Sequence, residues 1–260
     1  MHNDLFTIGK FTLHGYSAMI AIGFIVGMAL CILKARKEKK NEDAITDLGL
    51  ICCIVGFLGG KILYLIVDYK TLLSNPKAVL GFPQIFSGFV VYGGIIFGFI
   101  GVLVYSKIKK INAFEYLDFM IPFIAIVQGF GRIGCFLAGC CYGAPTDSFL
   151  GVVFPEGANA LAGIKVWPTQ LFSSAGDFLI AGILLLFSRV NKKNGNVSLL
   201  YVILYGIGRF FIEFLRGDAE RGNVWLFSTS QLISVIIVPL AIIGMLVINL
   251  VKTKKVEAKN

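Results

Sequence analysis

Along most of the chain the apolar positions neither alternate nor recur at a helical spacing; they run on without interruption. About 20 apolar residues wound into a helix cross the hydrocarbon core of a bilayer. Seven runs qualify: Leu13–Leu33, Leu48–Val67, Phe89–Tyr105, Tyr116–Leu137, Leu171–Ser188, Val197–Leu215 and Gln231–Val251. The pattern therefore predicts an all-α membrane protein with seven transmembrane helices. Two longer connections, Asp68–Gly88 and Ala138–Gln170, mix Pro and Gly with a few Phe and Leu, as interfacial re-entrant segments, surface segments or a lipid-resting helix would. No internal repeat or low-complexity stretch divides the chain, so residues 1–260 are expected to form a single integral-membrane domain. The first run is expected to stay in place rather than be cleaved as a signal peptide, because no basic segment precedes it.

Composition sharpens this picture. The 260 residues are 57% hydrophobic and 15% charged, where a soluble domain has about 45–50% apolar and about 25% charged residues. A soluble enzyme, a disordered chain and a nucleic-acid-binding module are excluded as its main character. The net charge of +9 is a matter of topology: 15 of the 24 Lys and Arg fall in Lys34–Lys40, Lys107–Lys110, Arg189–Lys193 and Lys252–Lys259. All four segments lie on one side of the predicted helices. The other side holds Lys10, Lys70, Lys77, Lys165, Arg216 and Arg221. Basic residues collect in cytoplasmic loops, so the N-terminus is expected outside and the C-terminus in the cytoplasm. Six cysteines are too few, and too embedded, for a disulfide framework.

Charge inside a span is costly and marks function by default. The embedded set consists of Lys61, Arg132, Asp177, Arg209 and Glu213, all in the outer half of their helices, with Tyr16 and Tyr92 at the same level. Tyr205, Arg209 and Glu213 recur every four residues and share one helix face. Either Arg209 and Glu213 form an intrahelical pair that neutralises itself in lipid, or two guanidiniums, Arg132 and Arg209, grip an anion. A phosphate suits the second reading, since a guanidinium is planar, bidentate and permanently charged. Glu213 would then orient an arginine or move a proton. Gly129, Gly131 and Gly134 leave room for close approach around Arg132. His2 and His14 fit a terminal and an interfacial residue better than a catalyst. Cys135, Cys140 and Cys141 read more readily as small buried thiols than as nucleophiles. Neither a His-Cys-Asp metal spacing nor a Ser-His-Asp set can be assembled.

The run GRIGCFLAGCCYGAPT at Gly131–Thr146 resembles the signature region of the prolipoprotein diacylglyceryl transferase family. Five further segments are similar to family elements in the same order. They are GYSAMIAIGFIVG (Gly15–Gly27), SGFVVYGG (Ser87–Gly94), PTQLF (Pro168–Phe172), YGIGRFFIEFLRGD (Tyr205–Asp218) and STSQLIS (Ser228–Ser234). The resemblance implies transfer of the diacylglyceryl group of phosphatidylglycerol to the lipobox cysteine of a prolipoprotein, with a thioether formed and glycerol phosphate released. It implies no cofactor, and as partners the bilayer, phosphatidylglycerol and prolipoproteins, with no nucleic acid. It points to Arg132, Arg209 and Glu213 for catalysis, with Tyr92 as a catalytic candidate at the position of the family's His, and to Tyr16, Arg132, Gly139, Gly143, Gln170 and Tyr205 for substrate binding. The pocket would lie between spans one, three, four and six, open to the outer leaflet. The chain departs from the best-known members in carrying Tyr92 and Trp167 in place of His. Cys135 and Ala138 stand for Asn, Cys140 for Glu, and Phe172–Ser173 for Tyr-Glu. Two alternatives stand beside this reading: a related transferase with a different acceptor, and a lipid-binding or transport protein without chemistry.

Overall fold

The computed structural model describes residues 4–8, 11–76, 80, 88–155, 160–191, 193–217, 223–224 and 227–257. His2, Lys10, Lys77, Ser87, Lys192, Asp218, Arg221 and Lys259 lie outside the described residues.

Eight α-helices carry the chain among the described residues: α1 (Gly15–Lys37), α2 (Glu42–Val67), the short α3 (Tyr69–Ser74), α4 (Val91–Ile108), α5 (Ala113–Leu137), α6 (Thr169–Val190), α7 (Asn196–Ile212) and α8 (Thr229–Glu257). Seven of them, all but α3, are long and apolar enough to cross a membrane. They coincide with the seven predicted runs. Large apolar side chains on every one of them are exposed, among them Ile25, Leu58, Ile95, Leu179, Phe211 and Leu240. Such surfaces are stable against hydrocarbon and not against water, and the protein is a multi-pass membrane protein.

Helix ends follow local chemistry. Lys34, Arg36 and Lys37 fall in the last turn of α1, where the helix dipole favours cations. Asn41 caps α2 by accepting the Ala44 amide at 3.1 Å, with Glu42 and Asp43 in the first turn. The predicted sixth span is interrupted at its end: α7 stops at Ile212 and Glu213–Leu215 form a 3₁₀ turn.

The chain forms two compact units, Met1–Cys31 with Leu117–Asn260, and Ile32–Tyr116. In the second unit α2 packs on α4 through glycines. A methyl group on Gly93 would stand 2.4 Å from the Gly59 carbonyl oxygen, and one on Gly59 would stand 2.3 Å from Phe97 Cβ, so the backbones meet only because both side chains are absent. Lys61 is buried here, its ammonium 5.0 Å from the Tyr64 ring centroid and 5.8 Å from that of Phe89. Tyr105 donates to Asp47 Oδ2 at 2.6 Å.

In the first unit α7 packs against α6 and α8, and Ala125, Ile180, Ala181, Leu184 and Val197 form an apolar cluster joining α5, α6 and α7. Asp118, buried on α5, was not among the embedded charges expected. It accepts the amides of Gly195 (2.7 Å), Val197 (3.3 Å) and Ser198 (2.8 Å) and the Ser198 hydroxyl (2.6 Å). A buried carboxylate is tolerated there because it satisfies the orphan donors at the start of α7. In the connection 138–170, the described residues among 138–168 contain no helix. Its described residues pair as an antiparallel ribbon, β1 (Val152–Val153) with β2 (Lys165–Val166), over an apolar cluster of Phe154, Ala160 and Val166 backed by Phe136 and Tyr142. β-branched and aromatic residues with an inward face of their own favour pairing over a helix on lipid.

Candidate functional site

The ends of α5, α6, α7 and α8 that carry the embedded charges come together in the first unit. Ser174 on α6 donates to the Gly129 carbonyl at 2.9 Å, clamping α6 onto α5. Three residues further along α6, Asp177 is only 3% exposed and lies within electrostatic reach of Arg132. Arg132 Nη2 donates to the Tyr205 hydroxyl at 3.4 Å, linking α5 to α7. The Tyr205 ring stacks on Tyr201 at 5.7 Å and 15°, and Tyr201 donates to Gln128. One turn beyond Tyr205, Arg209 Nη2 pairs with Glu213 Oε2 at 2.6 Å and donates to Ser230 Oγ at 3.0 Å. The 3₁₀ turn that ends the predicted sixth span is where Glu213 sits.

Arg216 completes the set. The sequence alone left it among loop charges, yet it lies within electrostatic reach of Arg209, as Arg132 does. An isolated backbone bridge to Gly143 holds it, with the Ala144 amide on the Leu215 carbonyl at 2.8 Å. Three guanidiniums thus face two carboxylates, Asp177 and Glu213, leaving a surplus positive charge where the surroundings are apolar. Such a site attracts an anion far more strongly than an exposed one. Two acceptor atoms, Asp177 Oδ2 and Gln170 Oε1, are buried and have no hydrogen-bond partner among the described residues.

The end of α5 has a specific architecture. Gly139 takes φ +67°, the Cys140 amide donates to the Cys135 carbonyl and the Gly139 amide to that of Phe136, both at 3.1 Å. This is a Schellman termination, in which glycine supplies the left-handed residue and the positions on either side of it are brought side by side. Here those positions are Cys135 and Cys140. Cys141 follows with φ +62°, unusual for a side-chain-bearing residue. Gln170 Nε2 donates to the Cys140 carbonyl at 2.7 Å and Thr169 Oγ1 to that of Cys141 at 2.8 Å. The three sulfurs, which the sequence reading treated as separate buried thiols, lie within 4.8 Å of one another. Hydrogen bonds from Cys135 and Cys140, together with the Arg216 guanidinium, hold the Cys141 thiol below the ordinary thiol range. Hydrogen bonds with Cys135 and Cys141, and then burial, push Cys140 above it.

Of the residues the sequence singled out, Arg132, Tyr205, Arg209 and Glu213 form one connected network. Tyr16, at the start of α1, packs on Gly134 and has Cys135, Cys140, Cys141 and Arg132 around its hydroxyl. Gly139 terminates α5. Gly143 is buried, where a methyl group would stand 2.5 Å from Trp167 Cβ and 2.6 Å from the Leu215 carbonyl oxygen. Gln170, 1% exposed, grips the Cys140 backbone. Tyr92 belongs to the second unit and is 46% exposed near the start of α4.

Residues 3–247 match the model of a family described as prolipoprotein diacylglyceryl transferase. The chain is 46% identical over 251 residues to the phosphatidylglycerol–prolipoprotein diacylglyceryl transferase of Clostridium tetani (strain Massachusetts / E88), covering 96% of this chain and 98% of that protein. It is 44% identical over 242 residues to phosphatidylglycerol–prolipoprotein diacylglyceryl transferase 2 of Clostridium perfringens (strain 13 / Type A), covering 93% and 92%. A third relative, the transferase of that name from Clostridioides difficile (strain 630), is 32% identical over 219 residues, covering 84% and 85%. A match along nearly the whole chain leads to one conclusion: the protein belongs to the prolipoprotein diacylglyceryl transferase family.

Proposed function

We propose that this protein transfers the diacylglyceryl group of phosphatidylglycerol to the lipobox cysteine thiol of prolipoproteins. The observation that carries the reading is the convergence of three guanidiniums with two carboxylates at the membrane-embedded end of α5 and α7. The names of the relatives supply the substrate class. Residues 1–260 act as one transferase domain. Its N-terminus lies outside and its C-terminus in the cytoplasm of the bacterial cell membrane, in keeping with the loop charges. The site opens toward the outer leaflet, where lipid donor and exported acceptor both arrive.

In this mechanism Arg132 and Arg209 hold the phosphodiester of the donor. Tyr205 orients Arg132, while Glu213 and Ser230 orient Arg209. The acceptor thiol gives its proton to solvent, and its sulfur attacks the glyceryl carbon that bears the phosphodiester. The carbon–oxygen bond breaks, and glycerol phosphate leaves with the electron pair. Negative charge grows on the departing oxygen, where preorganised donors in a dry site stabilise it most. Tyr16, Gly139, Gly143 and Gln170 shape the substrate site. Gln170 Oε1 and Asp177 Oδ2 are acceptors suited to headgroup hydroxyls. Tyr92, standing where the best-known family members have His, remains a proposed catalytic residue.

The test is a mass-shift assay: the purified protein is incubated with phosphatidylglycerol micelles and a synthetic lipobox peptide. A diacylglyceryl increment on the peptide, lost when its cysteine is replaced by serine, is expected. Arg132→Ala and Arg209→Ala should abolish it, and Tyr92→Phe should lower it. Full thioether formation by both arginine variants would overturn the phosphate assignment. Flux of lipid across vesicles without covalent product would point to a transporter.

A further inference from the structure

Three thiols that the transferase reading leaves idle meet at the end of α5. Cys135, Cys140 and Cys141 are not in disulfides, and their sulfurs lie within 4.8 Å of one another. The surroundings hold them there. The Schellman turn sets Cys140 against Cys135, the left-handed backbone of Cys141 turns that residue back, and Gln170 and Thr169 grip the two carbonyls. In a tetrahedral thiolate site with metal–sulfur bonds of about 2.3 Å, the sulfurs stand about 3.8 Å apart. Three sulfurs up to 4.8 Å apart need to move inward by only roughly 0.6 Å each to reach that spacing.

We infer that Cys135, Cys140 and Cys141 bind a thiophilic divalent cation, zinc, through three thiolates, and that the fourth coordination position receives the acceptor cysteine thiol. Thiolates select zinc or copper(I) over hard cations. Three protein ligands with an open fourth position is the arrangement of catalytic rather than structural zinc. The open position decides between the two soft ions: zinc is held four-coordinate, so three protein thiolates leave one place for the acceptor. Two guanidiniums lie beside the anionic ligands, Arg132 near Cys135 and Arg216 against Cys141.

The placement suits the reaction. Arg132 is both the neighbour of Cys135 and the proposed phosphate ligand, so sulfur and phosphorus are drawn to one guanidinium. On binding the ion the acceptor thiol gives its proton to solvent, since a metal-coordinated thiol is deprotonated outright. The bound thiolate then forms the carbon–sulfur bond as the carbon–oxygen bond to phosphate breaks. The thioether, a weak ligand, leaves the ion with the product. The acceptor half of this inference rests on the transferase reading; the ion half does not.

The test uses the full chain in detergent micelles, reduced and loaded with zinc. One ion per chain is expected, lost in Cys135→Ser and Cys140→Ser and kept in the control Cys53→Ser in the other unit. Gln170→Met, which releases the Cys140 carbonyl, should weaken ion binding by about 10–100-fold. Cobalt(II) in place of zinc should give a thiolate charge-transfer band, and a lipobox peptide should shift the ligand-field bands where its serine version does not. Chelation of the unaltered protein, which involves no change to its fold, should abolish the mass shift, and zinc should restore it. Reduced protein that takes up neither ion overturns the site. A cobalt spectrum indifferent to the peptide, or a mass shift that survives complete chelation, overturns the open position and leaves the transferase intact. A spectrum that responds to the peptide, with no thioether formed by the zinc-loaded protein, upholds the ion site and sinks the transferase reading.

Discussion

Removing the charge of Glu213 while keeping its shape asks whether the Arg209–Glu213 pair only neutralises itself or holds Arg209 for a phosphate. The two groups are 2.6 Å apart with side chains 11% and 7% exposed, so water screens them little. At an effective dielectric constant of about 20, two unit charges at that distance attract by roughly 6 kcal/mol. Desolvation offsets much of this, and removing one partner of a buried pair typically costs about 3–5 kcal/mol. Glu213→Gln keeps an acceptor for one guanidinium N–H, and Ser230 still holds the other side, so about 3 kcal/mol is expected. Arg209→Met strands the carboxylate and should cost a similar amount. The double variant replaces both charges by neutral groups of similar volume and should return close to the stability of the unaltered protein. Unfolding free energies in mixed micelles of increasing denaturing detergent measure all four corners of this cycle, and the mass-shift assay is run on each. The double variant should be stable yet inactive, because Arg209 is gone. Recovery of activity along with stability would refute a role for Arg209 beyond pairing. A loss below about 1 kcal/mol in Glu213→Gln would refute the claim that the pair is buried from solvent screening.

Arg132→Ala should lower the transfer rate by about 10²–10³-fold, and Arg132→Lys should recover only part of it, because a point charge cannot reproduce the bidentate fork. Asp118→Ala leaves three amides and a hydroxyl at the start of α7 without their acceptor. It should cost about 3 kcal/mol in the same unfolding assay, while turnover per folded molecule stays unchanged. Gly93→Leu places a side chain where even a methyl group would meet the Gly59 carbonyl at 2.4 Å. It should separate α2 from α4, read as loss of folded yield and a cost of about 3 kcal/mol or more.

Much of the architecture was legible because a bilayer imposes a one-dimensional rule. A backbone that cannot be solvated must be helical, and its side chains must be apolar for about 20 residues, so seven runs become seven helices. The face shared by Tyr205, Arg209 and Glu213 was legible for the same reason, since helical spacing is local. The ribbon within 138–170 was not, because short paired strands leave only a weak period in a connection rich in Gly and Pro. Asp118 escaped notice because its partners at 195–198 lie 77–80 residues away in sequence.

The thiol trio marks the boundary between the two kinds of information. Its first half was written locally: a glycine at 139, with cysteines one residue after it and four before it, is the pattern of a Schellman termination bringing two thiols together. Its second half was not. Cys141 joins the pair through a left-handed backbone that nothing in its own residue type favours, held by Thr169 and Gln170 arriving from nearly 30 residues away. Arg216 likewise became part of the site only through its bridge to Gly143. By itself, then, the sequence determined how many helices are long and apolar enough to cross a membrane and that Arg132, Asp177, Arg209 and Glu213 fall within those runs, because hydrophobic length and helical period are properties of neighbours along the chain. Which arginines converge, which thiols meet and which carboxylate caps which helix were decided by tertiary packing, since those contacts join residues that only the folded backbone makes neighbours.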